Sequence, residues 1–448
     1  MLTLFATPKS FEGHTGLIQS NAIASWMALR PAPEIILFGD DDGTAEICRE
    51  LGLTHVPMLE RTQFGAPLLP DLFAKAQRLA ANDVLSYVNA DIILLPDFIE
   101  ALNLARRVRE KFLMVARVWR VRIDDCWNFQ EPDCESKLRA FVRERGRQSP
   151  PPGNSDFFAF PRGLWSKIPD FGIGRGAWDP WLVYEARRLG AAVVDASPFV
   201  MAVHQNHDQS TYPHGLKRWK REMNHNYGLI GENAASFCLY DATHVIDSRG
   251  IQRSHGLRYL SRRIDTLPEF HPALAFPLRI PKAAIAGARR VRQQVALNRH
   301  PASRLLQLVR SKLPGDGITA ILGLADSAPG GATLAPGLQL AASLLMGGYP
   351  VVVYDPDPSA VEAARRAMTG PVEFAESAES CVQQGDVVVI TSTDDELRRI
   401  ALARQPESTL PAASHRVVID CCNAAAARPG RLETAGSNVE YIRWADKG

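Results

Sequence analysis

The chain alternates short apolar runs with longer amphipathic stretches along most of its length. Before about residue 235, six runs are rich in β-branched and aromatic residues: LTLFA, EIILF, VLSYV, FLMVARV, DFFAF and AAVVD. Between them, stretches such as LIQSNAIASWMAL and PDLFAKAQRLAAN carry apolar residues at helical spacing. This alternation predicts an α/β domain with a largely parallel sheet.

A second succession of strands and helices begins near residue 316. Predicted strands are ITAILGLA, YPVVVYDPD, GDVVVITST and HRVVIDCCN, and predicted helices are LAPGLQLAASLLMGG and PSAVEAARRAMT. This order is typical of a doubly wound, Rossmann-like sheet. We therefore predict an α/β domain at 1–235, a helical basic connector at 236–315 and a Rossmann-like domain at 316–448.

The connector is set apart by its charge. Residues 270–315 contain nine Lys or Arg and no Asp or Glu, with Ala, Leu and Val between them at helical spacing. Such a run favours a solvated helical connector. The alternative is a basic amphipathic helix that contacts an anionic membrane face or a partner.

Composition excludes several classes of protein. The 448 residues are 46% hydrophobic and 22% charged with a net charge of +2, which is ordinary for a globular protein and gives no sign of nucleic-acid binding. Seven cysteines without a CxxC pair favour a reducing compartment. The first residues do not resemble a signal peptide, and no apolar run reaches the ~20 residues of a membrane span. We expect a cytoplasmic protein, with the inner face of the membrane as the alternative location.

One acidic residue interrupts an apolar region in YVNADIILLPDF, residues 87–98. A carboxylate that follows a buried strand can face a cleft, where Mg²⁺ or Mn²⁺ prefers oxygen ligands shared with phosphate. Aspartate is also common in turns and at helix starts, so Asp91 alone leaves both interpretations open.

The order ATPKSFEGH, GDDDG and YVNADIILLPDF resembles the GT-A class of nucleotide-sugar glycosyltransferases. The resemblance implies that Asp91 binds a divalent metal on the donor diphosphate, while Asn89 stands where the family has its first acid. It also implies a late histidine ligand in AVHQNHDQSTY, for which His204 and His207 compete. The donor nucleotide, with a UDP-sugar favoured, is expected to contact Thr7, Pro8, Lys9, Asp40, Asp41 and Asn89.

The same resemblance implies an acceptor site. GRGAWDPWLVYEA at 174–186 matches the segment that supplies the catalytic base, with Asp179 at its acidic position. A helix N-cap is the structural alternative for Asp179, because Pro180 follows it. Asp156, in NSDFFAFPRGLW, is expected to bind a sugar hydroxyl, and Trp178 to stack on a sugar face, although aromatic residues more often lie in the core.

The C-terminal part resembles the nucleotide-sugar-binding domain of UDP-glucose and GDP-mannose dehydrogenases. The matches are Gly323-Leu324-Ala325, Pro336 and Tyr354-Asp355-Pro356. Asp326-Ser327 and Thr333 replace the family's Phe-Lys and Arg, and losing those cations weakens diphosphate binding. The chain lacks the GxGxxG fingerprint of a dinucleotide site, so the sequence does not support an oxidoreductase. We expect an accessory domain that regulates, scaffolds or forms a homo-oligomer.

Together these patterns predict a metal-assisted glycosyltransferase that transfers a sugar to a glycan or glycolipid acceptor. The alternative is a non-catalytic nucleotide-sugar scaffold or sensor. Asn89 and the lost cations favour that alternative, since both reduce the charge available to a metal and a diphosphate.

Overall fold

The computed structural model divides the chain into two compact units. The first contains Met1–His207 and Glu222–Lys282, and the second contains Asp208–Arg221 and Ala283–Gly448. The structure describes residues 1–150, 155–207, 215–230, 234, 236–271, 301–315, 317–324, 336–346, 348–368, 371–403, 416–422 and 439–444.

The described residues of the first unit form a large and a small sheet. Its strands are β1 Leu2–Ala6, β2 Glu34–Phe38, β3 Thr54–Val56, β4 Val84–Val88, β5 Ile92–Ile93, β6 Phe112–Val115, β7 Trp119–Val121, β8 Arg147–Gln148, β9 Phe157–Pro161, β10 Ala192–Asp195, β11 Val203–Gln205, β12 His244–Asp247 and β13 Gly250–Arg253. The large sheet has the order β13-β12-β10-β6-β9-β4-β1-β2-β3, and the small sheet has the order β5-β11-β7-β8.

The large sheet is mixed rather than fully parallel. Strand β9 runs antiparallel to both of its neighbours, β4 and β6, and β13 runs antiparallel to β12. The remaining paired strands of this sheet are parallel. The predicted parallel domain therefore carries one reversed strand in its centre, and this strand directly follows Asp156 in the sequence.

The helices described in this part of the chain are α1 Gly13–Ala28, α2 Thr44–Leu51, α3 Leu69–Leu79, α4 Asp97–Ala105, α5 Cys134–Arg145, α6 Trp178–Arg188, α7 Gly215–Gly228 and α8 Leu257–Phe270, and Leu239–Asp241 form a 3₁₀ turn. Helix α5 packs with the small sheet, and α7 belongs to the first unit only from Glu222 onward. Along β1, Leu4 packs with Trp26 of α1 on one face, and Phe5 packs with Phe73 of α3 on the other. Each fully buried side chain of this size contributes about 2–3 kcal/mol.

Strands β12 and β13 correct the predicted domain boundary. Residues 236–253, which we assigned to the helical connector, include this hairpin at the edge of the large sheet. Its side chains are mostly half-buried, so HVID and GIQR lack the continuous apolar run that marked the other strands. Residues 272–300 of the predicted connector lie outside the described residues, so membrane contact through 270–315 stays a prediction.

The second unit is built on a parallel sheet. Its strands are β14 Thr319–Leu322, β15 Val351–Tyr354, β16 Val372–Phe374, β17 Val387–Ile390, β18 Arg416–Asp420 and β19 Val439–Arg443. They have the order β16-β15-β14-β17-β18-β19, which numbered within the unit is the 3-2-1-4-5-6 order of a doubly wound nucleotide-binding sheet. Its helices are α9 Pro301–Lys312, α10 Pro336–Met346, α11 Pro358–Ala367, α12 Ala378–Gln384 and α13 Asp395–Leu402.

One feature of the second unit differs from the prediction. Leu305 and Val309 of α9, which we placed in the connector, pack in its hydrophobic core. The substituted positions Asp326, Ser327 and Thr333 lie outside the described residues. Across the described ranges of both units, we find no helix with the length and apolar character needed to cross a bilayer.

Candidate functional site

Three residues that the sequence suggested separately come together beside the small sheet of the first unit. Asp91 directly precedes β5, His204 lies in β11, and His207 follows β11 by two residues. Antiparallel pairing of β11 with β5 places His204 opposite Ile92. The Asp91 Oδ2 atom lies 3.3 Å from His204 Nε2 and 3.2 Å from His207 Nε2. The two histidines therefore do not compete for one position, because both face the same carboxylate.

Buried polar residues of α1 and β11 hold this cluster in place. Gln205 donates from Nε2 to the backbone oxygens of Ile18 and Asp91 at 2.7 and 3.1 Å, and its Oε1 accepts from Asn21 at 3.1 Å. Trp26 donates to the Ile92 oxygen at 2.8 Å. The backbone oxygens of Asp91 and Ile92 are thus tied to α1, which is far away in sequence. The sequence analysis missed Gln205 and Asn21; the signal was two amides within otherwise buried segments.

The charge on Asp91 is stabilised by its surroundings. Burial alone would raise the pKa of this carboxyl, but His204, His207 and Lys9 lower its pKa to about 2. Asp91 is therefore ionised at neutral pH and available as a ligand. Its other oxygen, Oδ1, is buried and has no hydrogen-bond partner among the described residues.

Asn89 and Asp156 form a second polar pair next to the cluster. The Asn89 backbone N–H donates to the Asp156 backbone oxygen at 2.9 Å, and the Asn89 side-chain amide donates to Asp156 Oδ1 at 3.2 Å. Asp156 Oδ2 is buried and lacks a partner among the described residues. Burial raises the pKa of Asp156, and His204 opposes that rise. The Asn89 amide thus orients the carboxylate of Asp156, which directly precedes β9.

Asp179 lies in the first turn of α6, where its carboxyl is half-buried. Burial raises the pKa of Asp179 to about 7, and the charge of Asp156 adds to the effect. The N-cap of α6 is Ala177, so the N-cap alternative for Asp179 is wrong. Ala177 has a φ of 82°, the one positive φ among the described non-glycine residues. This left-handed residue turns the chain directly before the acid, and such strain is common at functional sites.

Asn226 of α7 fixes the loop that leads into α6. Its side chain is 1% exposed, and it donates to the oxygens of Gly172, Arg175 and Gly176 at 2.9, 2.9 and 3.0 Å. It also accepts from the Gly172 N–H at 2.9 Å. Arg175 in the same loop pairs with Glu222 of α7. The position of Asp179 is therefore set by residues that the sequence analysis did not single out.

The residues predicted for the nucleotide lie at the ends of β1 and β2. The Phe11 N–H donates to the Asp42 oxygen at 2.8 Å and ties the segment after β1 to the GDDDG turn after β2. A cavity of about 510 Å³ is lined by Asp40, Asp41, Asp42, Gly43, Ala45, Glu46, His55 and Pro57. Burial raises the pKa of Asp41, whereas Asp40 pairs with Arg61 at 2.6 Å. Thr7 and Pro8 follow β1 directly, and Lys9 is exposed.

Trp178 lies against the hydrophobic core of the first unit. Its side chain is 7% exposed, and its ring packs against Tyr87 at 5.6 Å and Phe158 at 5.2 Å between centroids. Trp178 therefore belongs to the hydrophobic core, which is the alternative that the sequence left open for it. Its expected stacking on a sugar face stays a prediction.

The cluster fits a divalent metal ion. It offers two imidazole nitrogens and one carboxylate oxygen, all within 4.8 Å of one another, together with the unpartnered Oδ1 of Asp91. Buried polar atoms normally have partners, so an unpartnered oxygen beside two imidazoles indicates a site for a cation. Asp91, His204 and His207 are the residues that would hold it.

Comparisons with known proteins give structural likenesses at low identity. No family model matches the chain, and no curated protein does. Among solved structures, glucosyl-3-phosphoglycerate synthase of M. tuberculosis is 14% identical over 52% of this chain and 82% of its own, with a TM-score of 0.33. Mannosyltransferase PcManGT of Pyrobaculum calidifontis, in complex with GDP-Man and Mn²⁺, is 16% identical over 69% and 84%, with a TM-score of 0.35. S. aureus TarS 1–349 is 10% identical over 60% and 73%, with a TM-score of 0.33.

Proposed function

We propose that this chain is a metal-assisted glycosyltransferase that moves a sugar from a nucleotide-diphospho-sugar, with a UDP-sugar favoured, to a hydroxyl acceptor in polysaccharide or glycoconjugate synthesis. One observation carries the proposal: the Asp91–His204–His207 cluster and Asp179 flank Asp156, whose charge acts on the pKa of Asp179. A ligand-ready metal cluster and an acid with a pKa near 7 are the two parts that glycosyl transfer needs.

Each residue has a distinct task in this proposal. Asp91, His204 and His207 hold the divalent ion, which when bound offsets the negative charge that develops on the departing diphosphate. Asp156 accepts a hydrogen bond from a sugar hydroxyl through its unpartnered Oδ2. Asp179 takes the proton of the acceptor hydroxyl as that oxygen attacks the anomeric carbon.

The raised pKa of Asp179 suits the role of base. A carboxylate with a pKa of about 7 is a much better proton acceptor than an exposed aspartate, and it is still largely ionised at pH 7.5–8. The half-buried position gives this benefit because burial disfavours the charged form. Attack on the face opposite the diphosphate then inverts the anomeric configuration.

The nucleotide is proposed to lie between the segment after β1 and the GDDDG turn. Asp41 and Asp40 border the cavity there, and the exposed Lys9 is close enough to Asp91 to lower its pKa. In this proposal Lys9 contacts the diphosphate, and Asp40 and Asp41 contact the ribose and base. Thr7 and Pro8 complete this end of the site.

A non-catalytic nucleotide-sugar scaffold or sensor is the second candidate. Asn89 favours it, because an amide that is already hydrogen-bonded to Asp156 adds no negative charge for a metal. A sensor requires donor binding through Asp91 but does not require Asp179. The two candidates therefore make different predictions for the same pair of variants.

Thermal unfolding with UDP-, GDP-, dTDP- and CMP-sugars, with and without Mn²⁺, tests donor binding. A ligand that binds only the folded chain raises the free energy of unfolding, by about 2.7 kcal/mol at a ligand concentration of 100 times its Kd. The melting temperature rises as a result. We expect a metal-dependent increase for one nucleotide in the wild type and none in Asp91→Asn. Asp83→Asn is the matched control, because the Asp83 side chain is 99% exposed.

Asp179→Asn separates the two candidates. Once the nucleotide is known, release of that nucleotide in the presence of candidate acceptors measures turnover. The enzyme hypothesis predicts that Asp179→Asn keeps the melting-temperature increase and loses turnover. If wild type binds the donor but neither hydrolyses nor transfers it, the sensor is the better account, and if no nucleotide sugar binds, both candidates fail.

A further inference from the structure

The distances within the Asp91–His204–His207 cluster show whether its side chains can bind one metal ion together. Two ligands about 2.1 Å from an ion are roughly 3.0 Å apart at a right angle and roughly 3.4 Å apart at the tetrahedral angle. The Asp91 Oδ2 to imidazole Nε2 distances of 3.3 and 3.2 Å lie between these values. Each Asp91–imidazole pair is therefore spaced as two adjacent ligands of one small ion, and the three ligand atoms all lie within 4.8 Å of one another.

The donor set favours some ions over others. Mg²⁺ requires an octahedron of oxygen atoms and keeps several waters, so two fixed imidazoles suit it poorly. Imidazole ligands suit Zn²⁺, Co²⁺ and related ions, and the affinity of a given site rises from Mn²⁺ through Co²⁺. Asn89 strengthens this preference, because its amide donates to Asp156 and leaves one carboxylate beside the two histidines.

The cluster is also organised without help from a nucleotide. His204 is 7% exposed and lies in a strand paired to β5, and Gln205 joins the Asp91 backbone oxygen to α1. Three protein ligands are thus held in place by backbone and buried side chains. A site with a single carboxylate would depend on donor phosphates to complete its ligand set, but this one has three ligands of its own.

We propose that this chain binds a borderline transition-metal ion such as Co²⁺ or Zn²⁺ at Asp91, His204 and His207 before any nucleotide binds, and that it discriminates against Mg²⁺. The proposal rests on the proposed function only for the role of the ion in transfer. Three protein ligands leave coordination positions for the oxygens of a diphosphate, so the loaded chain is the form that receives the donor.

Titration of the full chain with Co²⁺ in the absence of nucleotide tests the proposal. We expect one equivalent of Co²⁺ to produce visible absorption bands of a nitrogen- and oxygen-ligated site. Mg²⁺ in about 100-fold excess should leave these bands unchanged, whereas Zn²⁺ should abolish them stoichiometrically. Calorimetry with Co²⁺ and with Mg²⁺ gives the affinities directly.

Variants locate the bound ion. His207→Gln and His204→Gln should each weaken Co²⁺ binding by about tenfold or more and change the spectrum. His271→Gln is the matched control, because His271 is exposed at the end of α8. Because the His207 side chain is only 20% exposed and contacts Asp91, the metal-free melting temperature of each variant is measured first to show that the chain is folded.

The outcomes distinguish this inference from the proposed function. Absence of Co²⁺ binding without nucleotide, equal competition by Mg²⁺, or unchanged binding in both histidine variants would overturn the inference. Sugar transfer that proceeds with a metal bound only together with the donor would retain the proposed function and overturn the inference. Tight Co²⁺ binding in a chain that binds no nucleotide sugar would retain the inference and overturn the proposed function.

Discussion

The two units place acidic residues at comparable positions but use them differently. In the second unit, Asp420 ends β18 and is fully buried, and its carboxylate accepts from Arg398 at 2.8 Å, Tyr441 at 2.6 Å and the Cys422 N–H at 3.0 Å. In the first unit, Asp91 follows β4 and Asp156 precedes β9, and each retains a buried oxygen without a hydrogen-bond partner among the described residues.

This difference distinguishes an acid that stabilises the fold from an acid that is available to bind a ligand. A buried carboxylate is stabilised by hydrogen bonds and costs free energy when one of its oxygens lacks them. Asp420 has its partners within the unit, so its role is to join α13 and β19 to the sheet. In the proposed function, the unpartnered oxygens of Asp91 and Asp156 face a metal ion and a sugar hydroxyl.

Asp91→Asn should have the largest effect of the substitutions that compare the acids of the two units. Loss of the carboxylate removes the charged ligand between His204 and His207, and a catalytic metal contributes several kcal/mol, so we expect turnover to fall by roughly 10³-fold. The variant should also lose Co²⁺ binding in the same titration. Asp420→Asn assayed in parallel should retain both properties. A similar loss in the two variants would show that acid position alone, rather than the missing partners, matters.

The pH dependence of turnover tests whether Asp179 acts as the base. Burial raises the pKa of this carboxyl to about 7, and only the ionised form accepts a proton. Turnover should therefore fall about tenfold per pH unit below 7, or roughly 100-fold at pH 5, and level off above it. A profile that is flat between pH 5 and pH 7 would contradict the assignment of Asp179 as the base.

The same raised pKa predicts an effect on stability. An unfolded aspartate has a pKa of about 3.9, so between pH 4 and pH 7 the folded state holds a proton that the unfolded state has lost. The contribution of Asp179 to stability is present below about pH 4 and is lost as the pH rises through 7. Asp179→Asn should thus melt at a higher temperature than wild type at pH 8 and at a similar temperature at pH 4. A constant difference across this range would exclude linkage through Asp179.

Much of the fold was accessible from the sequence, because most strands are short apolar runs between helical patterns. All six runs predicted before residue 235 contain a strand of the large sheet. The β12–β13 hairpin was missed because its residues are mostly half-buried, so HVID and GIQR keep polar residues among the apolar ones. The order of strands in the sheet was inaccessible, since it depends on pairings between distant segments.

The site was accessible in part. Asp91, His204 and His207 were suggested by their order and by a resemblance, but their common location depends on the β5–β11 pairing, which has no local sequence signal. For Trp178 the sequence left a core position and a sugar contact open, because periodicity does not show which helical side chain faces the core. Gln205, Asn21 and Asn226 were missed because an amide in a buried segment becomes informative only when its partners are known.

Asp420→Asn tests the other side of the comparison. Replacing one carboxylate oxygen by an amide removes the charge that faces Arg398 and one acceptor for Arg398 or Tyr441, so we expect a loss of about 2 kcal/mol in the free energy of unfolding. Asp395→Asn is the matched control, because Asp395 also pairs with Arg398 but its side chain is 93% exposed. Urea unfolding should show a change within about 0.5 kcal/mol for the control. Equal effects in the two variants would contradict the structural role of Asp420.

The smallest expected effect concerns the strain before Asp179. Ala177 has a φ of 82°, where an alanine is disfavoured by about 1 kcal/mol and a glycine is not. Ala177→Gly should therefore raise the free energy of unfolding slightly, by up to about 1 kcal/mol, while it loosens the turn that directs Asp179. Ala186→Gly, in the last turn of α6, is the control and should lower stability by about 1 kcal/mol, because it removes a fully buried methyl group from a helix. If Ala177→Gly stabilises the chain and lowers turnover, the strain serves to position the base; if it destabilises the chain, the left-handed residue is held by packing rather than by strain.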